Sequence, residues 1–497
     1  MAANSASEQM TPSKLEPSID HQEGVVMEKA GTQGDVDIAA QALQGQNLDF
    51  SEEVRKIDWR ILPLAAWSCG LQFVDKSALG AAATYGLRDD LHLVGQEYSW
   101  CVSMFYFGYL AGSFVSGRAL QYFHAGKVMG FAYFAWGLTL LGCMGAQNFA
   151  TLMALRFLLG CFESALVPGL LLVTTMWYTP QEQPFRFGLW TVTNGILPVP
   201  FLVIYWGLGQ VTGGPLYFCM PDNPITARWL NDREKAIAVK RLADCQNGVK
   251  NARFKWEQVR EAVTDYHFWM IVMQMFLSQA IGNVTTNFLG IIIKGFGYTA
   301  LTAQLFTAPN YAAQAFTQIL VSAPPTFLSR FQNYKQPLTA AASIISLIGI
   351  IVLYITPPEP QYQSRRLGAI ITISCAGVNY TVIMSVIGAN VAGFTKKQVT
   401  TSMTFFLYCI INIITPQTFL GSESPSYPTG LTFVMATLSA FIVLTLATWG
   451  MMQIENIRRD KLALTNPAYT TGDENDDLMS GLRDETDRQN KHFRYSG

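Results

Sequence analysis

Two ionisable residues stand inside one of the most apolar stretches of the chain, residues 152–178, reading LMALRFLLGCFESALVPGLLLVTTMWY. Arg156 and Glu163 are seven positions apart. That is nearly two helical turns, so both lie on one face, about 10 Å apart along the axis. The stretch is long enough to cross a bilayer, which takes roughly 20 apolar residues. A charge at that depth costs at least ~2.5 kcal/mol on insertion scales, so it faces protein or a water-filled cavity rather than lipid. A guanidinium there can grip a carboxylate through two parallel hydrogen bonds, and a carboxyl there can carry a proton. The competing reading is a structural ion pair that braces neighbouring helices.

A second charged pair, Asp75 and Lys76, interrupts the apolar stretch 61–85. Counted from the start of that stretch, Asp75 lies about 21 Å deep, or ~9 Å from the far face of a ~30 Å core. Arg156 lies about six residues into its own helix from that same face, also ~9 Å deep. The two are level, so an Asp75–Arg156 pair with Lys76 nearby is geometrically expected. A cargo carboxylate competing for Arg156 would free Asp75 to take up a proton, one route from anion binding to proton uptake. A static brace is the alternative. Glu163, near the midplane, is a candidate proton carrier or else a neutral, hydrogen-bonded lock between helices. Gln279, Asn283 and Asn287 recur at i, i+4 and i+8, a polar stripe on one helix face that reads as cavity lining, with helix–helix bonding as the alternative. Asn379 and Asn412 read as bonds between helices. No nucleophile–base, phosphate-loop or metal-ligand spacing appears, so neither an enzyme nor a cofactor nor a metal is expected. Six of the eight cysteines fall in the apolar stretches, where a thiol behaves as a small apolar side chain.

The elements that must position these residues follow from composition. Half of the 497 residues are hydrophobic, only 14% are charged and the mean hydropathy is +0.21. A soluble domain carries about 25% charged residues, so the chain reads as an integral membrane protein with the lipid bilayer as its solvent. The formal net charge of −1 argues against nucleic acid as a partner. The expected fold is all-α, a polytopic transmembrane helical bundle of about 11 spans. Five of them (about 61–85, 99–117, 128–146, 152–178 and 187–208) precede a basic segment, and six (about 268–293, 302–323, 337–356, 367–390, 399–420 and 431–452) follow it. Residues 1–57 and 456–497 read as disordered tails, with no signal-peptide pattern at the N-terminus. Between them lie an N-terminal half at 58–219, an amphipathic loop at 220–264 and a C-terminal half at 265–455. Positive charges at Arg55, Lys56, Arg60, Lys396 and Lys397 mark the cytosolic side. The nine Lys/Arg of 222–262 belong there too, yet five spans from a cytosolic start would leave that segment outside. Residues 187–220 are too few to cross twice, so a sixth span looks truncated.

Two six-span halves about a charged cytosolic loop is the plan of parallel-repeat transporters. Several blocks resemble one branch of them. These are VDKSALGAAATYGLRDDLHL (74–93), YSWCVSMFYFGYLAG (98–112), RFLLGCFESALVPG (156–169) and MWYTPQEQPFRFGLWTVTNG (176–195). MPDNPITARWLNDREK (220–235) and GANVAGFTKKQVTTSMTFFLYCIINIITPQTF (388–419) continue the series. Together they resemble the fungal allantoate permease-like (anion:cation symporter) branch of the major facilitator superfamily. That resemblance implies the two-half fold, proton-coupled import of a small organic anion across a fungal plasma membrane, alternating access about a central site, and a monomer. It also implies that Trp190 and Asn194 line the N-terminal half of the cavity. The chain departs from the pattern at GRALQYFHAGK (117–127), which lacks an Asp, at GGPLYFC (213–219), which stands where a full sixth span is expected, and at 322–337. Two other functions fit: an exporter of an acidic secondary metabolite, and a transport-dead sensor or mis-spliced product. A transcript with an extra ~25–35 residues at the codons for 208–222, enough for one span, would remove the last.

Overall fold

In the computed structural model the described residues are 51–143, 145–178, 183–198, 255–327, 333–357, 359–424, 426–465, 486–490 and 493–496. The truncated sixth span, most of the 220–264 loop and residues 1–50 of the N-terminal tail lie outside them, whereas residues 51–57, expected in that tail, are helical and open the first helix. Among the described residues there are helices and turns but no strand, as backbone polar groups in lipid require. Among the described residues, six helices are long and apolar enough to cross a membrane: Phe149–Thr174, Tyr266–Lys294, Lys335–Ile355, Gln363–Asn390, Thr395–Thr418 and Pro428–Leu464.

The first half comprises α1 (Ser51–Tyr85), α2 (Glu97–Tyr122), α3 (Ala125–Cys143) and α4 (Phe149–Glu163). It goes on through α5 (Leu166–Trp177), α6 (Gln183–Thr191) and α7 (Thr193–Ile196). The second half opens with α8 (Trp256–Thr264) and a broken rod. That rod consists of α9 (Tyr266–Ser278), α10 (Ala280–Asn283), a π-helical turn (Val284–Phe288) and α11 (Leu289–Lys294). It continues with α12 (Ala308–Phe327), α13 (Lys335–Ile355), α14 (Gln363–Ile373), α15 (Asn379–Asn390), α16 (Phe394–Thr418) and α17 (Pro428–Thr465).

Contacts fix the directions. Arg186 pairs with Asp58, Thr193 donates to the Ala66 carbonyl and Leu197 lies against Gly70, so α6–α7 runs parallel to α1. Asn287 packs on Gly80 and Lys294 donates to the Thr84 carbonyl, so the α9–α11 rod runs parallel to α1 as well. Parallel placement of the two rods that open the halves is the geometry of parallel repeats. We call the face where α1 and α9 begin basal and the opposite face distal.

Small residues set the tightest packing. A Cβ on Gly108 would lie 1.9 Å from the Phe157 carbonyl oxygen, and one on Gly160 would lie 1.9 Å from that of Phe105. The Gly108–Gly112 spacing on α2 therefore brings its backbone against α4, as small residues four apart do between helices in lipid. Two expectations for the tails need correction. Residues 456–465 continue α17, and residues 486–490 and 493–496 pack on the basal face, with Phe493 and Tyr495 buried. A polar average over the tail hides these two aromatics, which have apolar surface to bury.

Candidate functional site

A cavity of about 120 Å³ lies between the halves. Lys76, Trp190, Asn194 and Gln279 line it, and Lys76 is its one charged lining residue among those described. Adjacent helical residues point about 100° apart, and this decides the fate of the first charged pair. Lys76 faces the cavity, whereas Asp75 points away and accepts a hydrogen bond from Trp136 Nε1 at 3.3 Å. Lys76 Nζ lies 2.8 Å from Glu163 Oε1. Glu163 is wholly buried at the end of α4, where that helix turns into α5, so its carboxylate sits behind the lysine.

The expected Asp75–Arg156 ion pair does not form among the described residues. Arg156 is buried, acts on Asp75 only at longer range, leaves its Nε without a partner and does not line the cavity. Equal depth counts residues along each axis and is silent about azimuth. The polar stripe also divides. Gln279 faces the cavity, but Asn283 Nδ2 donates to both the carbonyl and Oδ1 of Asn412 at 3.1 Å, and Asn287 Nδ2 donates to Asn283 Oδ1 at 2.9 Å. The helix breaks at Gln279, between α9 and α10, which disrupts the 3.6-residue period, so Gln279 no longer shares a face with Asn283 and Asn287, which stay bonded to each other. Thr285 and Thr286 line the cavity instead. Asn379 accepts from Ser343 Oγ, a bond between α13 and α15.

Residues from both halves that sequence reasoning passed over complete the wall. Tyr106 and Tyr109 on α2 meet Tyr408 on α16, with ring centroids 5.9 and 6.2 Å away, and Tyr380 adds a further ring at 6.4 Å from Tyr408. Lys76 Nζ lies 5.7 Å from the Tyr109 ring and 5.8 Å from that of Phe105, within cation–π reach. Gln72 and Gln314 add amides, and Asn412, expected only as a bond between helices, both bonds Asn283 and lines the cavity. The i, i+3 spacing of Tyr106 and Tyr109 was the available signal.

The halves meet on both sides of this cavity. Distally, Tyr98 OH donates to the Asn287 carbonyl at 2.9 Å, the Tyr98 ring meets Phe288 edge-on at 5.9 Å, and Gln417 donates to Ser103 Oγ at 3.0 Å. Basally, Gly188 packs against Ser322, and Thr191 bonds Thr381 at 2.8 Å.

A two-half helical bundle with a polar chamber at the seam defines a class: a membrane transporter that moves small solutes. The chain belongs to the Major Facilitator Superfamily, whose sequence profile matches residues 66–416. It is 31% identical to an uncharacterized transporter of Schizosaccharomyces pombe over 95% of this chain and 91% of that one. It is 28% identical to the allantoate permease of Saccharomyces cerevisiae (90% and 87%) and 28% identical to the thiamine pathway transporter of the same yeast (89% and 86%). The E. coli fucose:proton symporter shares the fold, with a TM-score of 0.52 over 78% of this chain and 99% of that one at 15% identity.

Proposed function

We propose that this transporter carries a small organic anion, a carboxylate or ureido acid, inward together with protons. Lys76 is the cation that receives the anion, and Glu163 is the group that takes the proton. The observation that carries this reading is the Lys76–Glu163 contact at the cavity wall. An incoming carboxylate competes with Glu163 for one ammonium. A displaced, water-excluded carboxylate is costly unless it is neutralised, so anion arrival and proton uptake by Glu163 favour one another. The amides and tyrosines of the wall supply donors for the rest of the cargo. Similarity to a protein named allantoate permease is consistent with such a cargo.

The test is uptake of labelled allantoate and other labelled carboxylates by cells expressing the chain, with and without a protonophore. Accumulation should collapse when the proton gradient is removed. Accumulation that persists unchanged would eliminate symport.

A further inference from the structure

The basal end of the second half holds a second built site, and its occupant is the chain itself. Lys396, 2% exposed, gathers three carboxylates: Asp487 at 2.7 Å, Asp265 at 2.8 Å and Glu261 at 3.0 Å. Two of these come from α8 and the cap of α9, and the third from the tail. Thr486 Oγ1 donates to the other oxygen of Glu261 at 3.0 Å. Arg459 on α17 donates to the carbonyls of Asp487, Asn490 and Phe493. Tyr495 stacks on His267 with centroids 4.7 Å apart and donates to Asp487 Oδ2 at 2.9 Å. Two asparagines then read the backbone. Asn456 donates to the carbonyl of Tyr495 and accepts from its N–H, and Asn390 does the same for Ser496. Paired donor and acceptor bonds to successive residues resemble strand addition in peptide recognition.

We infer that this is a peptide site for the segment from Thr486 to Ser496, and that its occupancy keeps the basal seam of the transporter closed. The link is α15. Asn390, at its basal end, is tied to Ser496, and Thr381, nine residues earlier on the same helix, makes the Thr191 bond across the seam. All the tail's partners named here belong to the second half, so the segment does not itself bridge the halves. It fixes α8, α9, α15, α16 and α17 against one another, and α15 presents Thr381 to α6 from that fixed position. A released tail leaves Asn390 without its Ser496 partner, and the end of α15 is then held through the Lys397 bond to the Gly388 carbonyl.

Cys69 provides a readout that needs no cargo, because its thiol lines the cavity. Full-length protein in liposomes is treated with N-ethylmaleimide, and labelling of Cys69 is followed by mass spectrometry. Tail release is measured in parallel as trypsin cleavage after Arg488. Tyr495→Ala removes the stacked ring from the tail side and leaves the bundle intact. Thr486→Glu, a second variant, sets a carboxylate against Glu261. Each should speed tail cleavage several-fold and raise Cys69 labelling several-fold. Faster cleavage with unchanged labelling overturns the role given to the tail, and unchanged cleavage in both variants overturns the site itself. Neither result depends on the identity of the cargo, so loss of anion uptake in a Lys76 variant remains a separate question.

Discussion

Neutralising Lys76 and Glu163 one at a time and then together separates a working pair from a brace. The Nζ–Oε1 distance is 2.8 Å, and the side chains are 15% and 0% exposed. At an effective dielectric of about 20 that separation corresponds to a gross attraction of about 6 kcal/mol. Most of it offsets the desolvation of the two groups. Removing one partner leaves the other buried and unpaired, at a cost of about 3–5 kcal/mol, whereas replacing both by apolar residues of similar volume is often neutral or stabilising. Lys76→Met and Glu163→Leu should therefore each melt well below the parent protein in detergent, and the double variant should recover most of that loss. Uptake should follow a different pattern. Both single variants and the double variant should be inactive per molecule at the cell surface, because the double variant regains its packing but not its cation or proton site. A double variant that is stable and carries labelled carboxylate at the parental rate would reduce the pair to a brace and refute the mechanism.

The close approach of α2 and α4 gives a sharp stability test. Ala for Gly inside a helix normally favours helix by about 1 kcal/mol, but Gly108→Ala sets a methyl into the Phe157 carbonyl. It should reduce the yield of monodisperse protein markedly, while Gly117→Ala, with open space around its Cβ, should not. The tail site predicts a pH dependence. Burial pushes the Asp265 carboxyl up, but His267 and the Lys396 ammonium outweigh it and hold the carboxyl well below its usual 3.8. A depressed folded value means stability that is present above 3.8 and lost as acid approaches the folded value. Glu261 and Asp487 share the same lysine, and Tyr495 stays protonated as the donor to Asp487. The melting difference between the parent and Asp265→Asn should thus be flat from neutral pH to about pH 5 and should shrink only below the ordinary carboxylate range.

The helical fold was legible because lipid leaves the backbone few choices. Apolar runs such as 152–178 and 431–452 correspond to helical segments in the structure (α4–α5 and α17). Composition was a poorer guide at the C-terminus. There the acids of GDENDD conceal a later segment whose Asp487, Phe493 and Tyr495 find a lysine, an arginine and a histidine ring on the bundle. Such partners lie far apart in sequence, and no local window joins them.

The site was half legible for a related reason. Residue type and depth along an axis can be counted, so Lys76, Glu163 and Gln279 could be selected as intramembrane polar groups from the sequence. Rotation about the axis accumulates every irregularity of the helix. One break at Gln279 was enough to turn Asn283 from the cavity toward α16, and Asn287 bonds Asn283 rather than lining the cavity. The same logic reassigns the cation. Arg156 and Asp75 were matched by height, but the 100° between neighbouring side chains gives the cavity to Lys76 and leaves Asp75 to Trp136. Swapping these neighbours, with Asp75→Lys and Lys76→Asp in one chain, keeps composition, net charge and depth while rotating the ammonium out of the chamber. If anion transport depends on which way the charge faces, that chain cannot move cargo, and no depth-based account distinguishes it from the parent.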